Sequence, residues 1–453
     1  MQSIITKQRD FFNTHTTKSL PFRRKQLKKL EATIRANERQ LLDAIYKDVQ
    51  KSTFETQATE LALVYRDIQD AYNNLNQWSA RKSAKTNLLN VPGKSYVIPE
   101  PLGVALIIGA WNYPYLMSLG PLVAAVAAGC TAVVKPSELP VHASAALKKM
   151  LAESFAEEYI AVIEGGVSET TRLLTHKFDK IFFTGSGRVG KVVYKAAAEH
   201  LTPVTLELGG KSPAIVTADC HLKMTVKRLV WGKFLNAGQT CIAPDYVLVD
   251  KKIEQKFLEA CKLQVEKQQY AVANGNYAQI INNENLERLL ALLPAEKVLC
   301  GGVVNTEQRT ISPTILSEIT FEDEIMKEEI FGPILPVIAY DNFETAMSQI
   351  AALPKPLACY IFTRSSKTKK KVLHGLPFGG GMVNDTVMQI TNSNLPFGGV
   401  GSSGIGAYHG ENGFRAFTHY KSIIEKSNLF ELPLKYFPLS KSKLWWIKQF
   451  FKW

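Results

Sequence analysis

Three side chains stand where they could do covalent chemistry: the Cys241 thiol, the Glu207 carboxylate and the Asn112 amide. Cys241 closes FLNAGQTC, residues 234–241, with Ile242, Ala243 and Pro244 behind it. A structural cysteine usually sits inside an apolar element. A glycine-bearing turn instead presents the sulfur and points backbone N–H groups near it, and such dipoles favour the thiolate that a nucleophile needs. Glu207 lies in LELGGK, residues 206–211, flanked by two leucines. Desolvation there would raise its pKa, which suits a general base. Asn112 lies in AWNYP, directly after an apolar run, where its amide could donate to a developing oxyanion. Each also has a plainer reading: a buried thiol, an edge-strand glutamate facing water, and a turn-forming asparagine.

Two further stretches read as phosphate and ribose sites. Gly185, Ser186, Gly187, Arg188, Val189 and Gly190 lie between an expected strand at 180–184 and an expected helix. Their GxGxxG spacing lets backbone approach a pyrophosphate at a helix N-terminus. Tight strand-to-helix turns use glycine in any case. The acid that binds ribose about 20 residues on is not evident, because Glu199 falls inside the expected helix. VVKPSELP, residues 133–140, places Lys135 and Glu138 past the end of a buried strand, where α/β folds bind ligands. Both could hold a ribose diol. The plainer alternative is two solvated charges, with Ser137 capping the next helix.

These groups need elements to hold them. Residues 101–134 carry no charge, but Trp111-Asn112-Tyr113-Pro114, Gly120-Pro121 and Gly129 interrupt the run, which argues against a lipid-facing helix. The pattern predicts a buried strand at 104–109, a helix at about 117–128 and a buried strand at 131–134. Apolar strands alternating with helices call for a parallel sheet covered on both faces. Residues 1–80 read as helical, 90–103 as an exposed hairpin or arm, and 210–398 as a second α/β region. A chain of 453 residues, 46% apolar and 21% charged, fits a folded, soluble-type protein of two or three domains. The formal charge of +13 is spread out, and no nucleic-acid motif accompanies it. Cysteines 130, 220, 241, 261, 300 and 359 stand singly, with no CxxC or HxxxH, so no metal site is expected and a reducing compartment fits. The N-terminus lacks the apolar segment of a secretory signal.

The order of Asn112, KPSE at 135–138, GSGRVG at 185–190, ELGG at 207–210, GQTC at 238–241 and EEIFGP at 328–333 resembles the NAD(P)-dependent aldehyde dehydrogenases, over about residues 10–425. LPFGGVGSSGIGAYHG, residues 395–410, and the extended tail are most similar to the class 3 branch, which acts on medium and long aliphatic and aromatic aldehydes. The resemblance implies an α/β fold with a Rossmann-like dinucleotide-binding domain (1–84 and 102–209) and a second α/β catalytic domain (210–398). It further implies a small β oligomerisation arm (85–101 and 399–430) and a basic aromatic C-terminal tail (431–453). Cys241 would be the nucleophile, Glu207 the base that activates water, and Asn112 with the Cys241 N–H the oxyanion hole. Lys135 and Glu138 would hold the adenosine ribose, and the 185–190 turn would lie beside the pyrophosphate. Glu329 and Phe331 would position the nicotinamide ribose and ring, with Trp111 and Leu208 also at the cofactor. NAD is favoured, since Glu138 would repel a 2′-phosphate; NADP stays open.

Three alternatives are carried. A coenzyme A-acylating relative would generally lack the Glu207 base. A cysteine hydrolase would need a partnered histidine, for which His221 and His409 are scattered candidates. A non-catalytic binding protein would not need Cys241, Glu207 and Asn112 together. The resemblance also implies an aldehyde substrate, a homodimer and a cytoplasmic location. Residues 432–453 contain no acid, five lysines and seven aromatics. Helical spacing puts Trp446, Ile447, Phe450, Phe451 and Trp453 on one side, with Lys448, Gln449 and Lys452 on the other. That segment is too short to span a bilayer. It suits peripheral contact at the inner membrane surface, with a lipid-derived aldehyde as substrate, or packing across a dimer over the substrate tunnel.

Overall fold

A computed structural model describes residues 1–451; Lys452 and Trp453, with that part of the tail reading, lie outside the described residues. The uncharged run folds as strand Val104–Ile108, helix Pro114–Ala128 and strand Thr131–Lys135, every residue of them buried. The helix starts at Pro114 rather than about 117, because proline suits a first helical position, where its missing N–H would be unpaired anyway. Glycine closes it: Gly129 has φ +96°, a left-handed conformation that other residues adopt at a cost.

Two sheets are built from such strands. The first runs in the order Gly404–Ile405, Val204–Glu207, Lys180–Thr184, Val104–Ile108, Thr131–Lys135 and Ile160–Val162, parallel except for the first pair. Its order reverses between Val104–Ile108 and Lys180–Thr184. At such a switch point the loops past the strand ends diverge and leave a crevice. Those loops carry Trp111 and Asn112 on one side and Gly185–Gly187 on the other. The second sheet runs Val298–Cys300, Thr314–Leu316, Ile334–Tyr340, Tyr246–Asp250, Pro213–Val216, Ala358–Phe362 and Gly380–Val383, parallel except for its first pair.

The first 79 residues are helical, as their spacing predicts, with helices Leu20–Val49 and Ala62–Ser79 sharing one core with Pro114–Ala128. Asp48 caps a distant helix, accepting the N–H of His142 at 3.0 Å and of Ala143 at 2.8 Å. Ser137 does not cap it; its hydroxyl accepts the Leu139 N–H, and the helix begins at Val141. The chain groups into two compact units, residues 1–78 with 101–418 and residues 79–100 with 419–453. Residues 399–418 therefore fall in the large unit, because Gly404 and Ile405 pair with Glu207 and Leu206. In the small unit, strands Lys82–Ala84, Gly93–Pro101 and Thr418–Lys426 make a sheet in that order. No helix among the described residues is long and apolar enough to cross a membrane.

Candidate active site

Helix Leu222–Phe234 runs into the cysteine turn. Asn236, Ala237 and Gly238 follow with φ of +52°, +52° and +73°. The left-handed region costs a non-glycine residue about 1–2 kcal/mol, so this turn needs outside holders. A Cβ on Gly238 would lie 2.2 Å from the Gly332 carbonyl oxygen, so only glycine lets the turn press against the Phe331-Gly332 loop. Gln239 ties the turn down: its Nε2 donates to the carbonyls of Asn236 (3.1 Å) and Gln279 (3.0 Å), and its Oε1 accepts the Ile281 N–H (3.0 Å). Thr240 shares a 2.6 Å hydrogen bond with the Tyr113 hydroxyl.

Asn112 lies against the same turn. Its Nδ2 donates to the Gln239 carbonyl at 3.0 Å, and its own carbonyl accepts from Asn236 Nδ2 at 3.0 Å. One Nδ2 hydrogen remains for a substrate oxygen. Glu207 ends its strand, and its backbone oxygen accepts the Gly185 N–H at 3.0 Å. Its carboxylate is buried with neither oxygen partnered, and burial pushes it well above the usual carboxylate range. The reading of a glutamate facing water does not hold.

Cys241 is half-buried, and its thiol is pushed up to about 12. Burial is the largest cause, and the charges of Glu329 and Glu207 add to it. The N–H groups of Cys241 and Ile242 pull the other way, as the turn predicts, but desolvation outweighs them. The dipoles of the turn thus favour the thiolate as expected, and the net shift is nevertheless upward because burial is the larger effect. Glu329 is pushed up to about 8 by burial and then Asp245, against the Gly210 N–H, Lys211 and Lys233. A Cβ at Gly209 would lie 1.9 Å from Glu329 Oε2, so the glycine pair after Glu207 makes room for this second carboxylate. Lys211 anchors its loop, donating to Asp245 at 2.5 Å and to the carbonyls of Ile325 and Glu328 at 2.9 Å.

The remaining residues border the switch-point crevice. Ser186 caps helix Gly187–Ala198 by accepting the Val189 N–H at 3.4 Å. A Cβ at Gly185 would strike the Phe183 ring (2.6 Å) and one at Gly190 would strike Leu208 (2.7 Å), but nothing lies within 4 Å of one at Gly187. Packing thus explains the outer glycines, and the middle one borders open space at a helix N-terminus. Arg188 and Val189 are exposed on that first turn. Lys135 is buried, with Nζ 2.7 Å from the Pro136 carbonyl and 3.7 Å from Glu138. Burial lowers the pKa of this lysine, and Glu138 opposes the shift. It is thus not a solvated charge. The Trp111 and Phe331 rings meet edge-on at 5.3 Å. These features fit a dinucleotide: an open backbone cradle for phosphate, a buried cation with an acid beside it, and paired rings. His221 caps a helix through its Nδ1, and no histidine bonds Cys241 among the described residues. The holders Gln239, Asn236 and Lys211 carry no local sequence signal beyond lying inside the motifs, and Asp245 lies just outside them.

The chain belongs to the aldehyde dehydrogenase family, whose model matches residues 1–423. It is an aldehyde dehydrogenase of the class 3 kind, an oxidoreductase that uses NAD or NADP. It is 44% identical over 446 residues to the 4,4'-diaponeurosporen-aldehyde dehydrogenase of Staphylococcus aureus, covering 98% of this chain and 97% of that one. It is 41% identical over 454 residues to the mouse (Mus musculus) aldehyde dehydrogenase family 3 member A2, covering 99% and 94%. The substrate-bound structure of Staphylococcus aureus AldH superposes with a TM-score of 0.97 at 42% identity, covering 99% of both chains.

Proposed function

We propose that this enzyme oxidises a medium- or long-chain, lipid-type aldehyde to the carboxylic acid through a Cys241 thioester. One observation carries the mechanism: Glu207 presents an unpartnered, buried carboxylate whose charge reaches the Cys241 thiol. Bound NAD(P)+ supplies the hydride acceptor. An aldehyde has no leaving group, so the sulfur first adds to its carbonyl. In its ionised form Glu207 takes the thiol proton and passes it on to solvent before water is activated. The free Nδ2 hydrogen of Asn112 meets the oxyanion of the thiohemiacetal. Once that adduct is oxidised to the thioester, Glu207 takes a proton from water, the water oxygen bonds to the acyl carbon, and the C–S bond breaks. Gln239 keeps sulfur and amide in register throughout.

A relative named for diaponeurosporen-aldehyde and another from family 3 support a long apolar substrate. So does the tail. Helix Lys441–Phe451 leaves Leu444, Trp445, Trp446 and Phe451 more than half exposed, beside Lys443 and Lys448. Such a segment suits an anionic membrane surface, and a protein working there from the cytoplasm would meet lipid aldehydes. Co-sedimentation with anionic liposomes should fall on truncation after Ser442; equal, negligible binding removes the membrane role and leaves packing at the substrate tunnel. The central test is NADH or NADPH formation with aldehydes of rising chain length, with and without coenzyme A. Turnover should need no coenzyme A and improve with chain length. A strict need for coenzyme A would identify the acyl-transferring alternative.

A further inference from the structure

The cysteine turn and the Asn112 loop are both held by one short helical corner far away in the chain. Helix Thr53–Thr56 starts with Ser52 capping the Glu55 N–H. Glu55 Oε1 then accepts the backbone N–H of Asn236 at 2.7 Å, across 181 residues. That N–H belongs to the first left-handed residue of the turn. The side chain of the same Asn236 donates to the carbonyls of Asn112 and Gln239. Glu60, one turn beyond, takes the other half of the site. Its Oε1 pairs with Lys51 at 2.7 Å, and its Oε2 accepts the N–H groups of Tyr115 (2.9 Å) and Leu116 (3.3 Å), just past Asn112. Lys51 Nζ also lies 4.6 Å from the centre of the Tyr113 ring, whose hydroxyl bonds Thr240.

We propose that Glu55 is a positioning residue for aldehyde oxidation: its carboxylate fixes the strained turn that aims Cys241 at the oxyanion-hole amide of Asn112. The inference rests on Cys241 and Asn112 acting as proposed above. Two physical facts make Glu55 the holder. Non-glycine left-handed residues relax unless something opposes them, and a carboxylate on a backbone N–H is among the stronger hydrogen bonds available. The hydrogen bond of the Glu55 carboxylate goes to the Asn236 N–H and not to a cofactor-side residue, so its loss should displace the nucleophile without emptying the cofactor site. Sub-ångström placement of reacting groups is worth up to about 100-fold in rate.

The test compares the full-length protein with Glu55→Ala, Glu55→Gln and Glu55→Asp. For each, kcat, the KM of aldehyde and cofactor, the melting temperature and the rate of Cys241 alkylation by iodoacetamide are measured. For Glu55→Ala we expect kcat to fall about 10- to 100-fold with the cofactor KM unchanged. Alkylation should quicken, because a relaxed turn hydrates the thiol. Glu55→Gln keeps an acceptor oxygen in place and should recover most of kcat and the slow alkylation. Glu55→Asp, one methylene short, should fall between. A kcat for Glu55→Ala within twofold of wild type overturns the proposal. So does a glutamine variant as impaired as the alanine one, which would mark a purely structural role. A wild-type protein that oxidises no aldehyde overturns the proposed function instead, and the alkylation rates then still decide whether Glu55 holds the turn.

Discussion

At the residue scale, burial raises the pKa of both the Cys241 thiol and the Glu207 carboxyl. Each is harder to ionise than an exposed group of its kind, and the charge of Glu207 adds to the cost at Cys241. The two roles separate in mutants. Cys241→Ala should abolish oxidation while cofactor still binds, read by turnover and by titration of the dinucleotide. Glu207→Gln should give a burst of NADH followed by steady-state turnover about 10²–10⁴-fold slower, because the thioester forms but waits for water. Unchanged steady-state turnover would remove Glu207 from its role. Residue types and order led to Cys241, Glu207 and Asn112 from the sequence. The direction of the thiol shift was not legible, because it is set by burial and by the charges of Glu329 and Glu207, which only the folded chain brings near the sulfur.

Glycines decide the element scale, each for a local reason. Gly238 lets one backbone meet another: its φ of +73° and the Gly332 carbonyl both exclude a side chain. Gly238→Ala should cost about 1–3 kcal/mol in local strain and lower kcat more than it lowers cofactor affinity. The conservative Gly187→Ala, with open space around it, should fold normally and weaken dinucleotide binding instead. Equal effects of the two on both readouts would contradict the division of labour. The strand–helix–strand run at 104–135 and the glycine turn at 185–190 were legible because short-range periodicity and turn chemistry specify them. The left-handed Asn236 and Ala237 were not, since the bonds around them reach Glu55, Asn112 and, through Gln239, residues 279 and 281, far away in the chain. Nor was the Asp48 cap on the helix from Val141, which joins segments that only the folded chain brings together.

At the scale of the whole molecule, the small sheet has two open edges, the fully exposed Lys82–Ala84 and the nine-residue Thr418–Lys426, exposed at about half its positions. Uncovered edges invite strand pairing, and class 3 relatives are expected to be dimers. Light scattering across a range of concentrations should return twice the chain mass; a monomer or tetramer mass would refute it. The bonds that complete the site span long stretches of chain, 127 residues from Asn112 to Gln239 and 181 from Glu55 to Asn236. The loop that presses on Gly238 comes later still, at Gly332. During synthesis from the N-terminus, the ribosome therefore delivers the cysteine well before the last wall of its site. Until that loop is made, nothing presses on Gly238 to close the turn that carries the thiol. Catalytic power arrives only with the final long-range closure, so activity in a cell extract counts finished molecules and is blind to partly made ones.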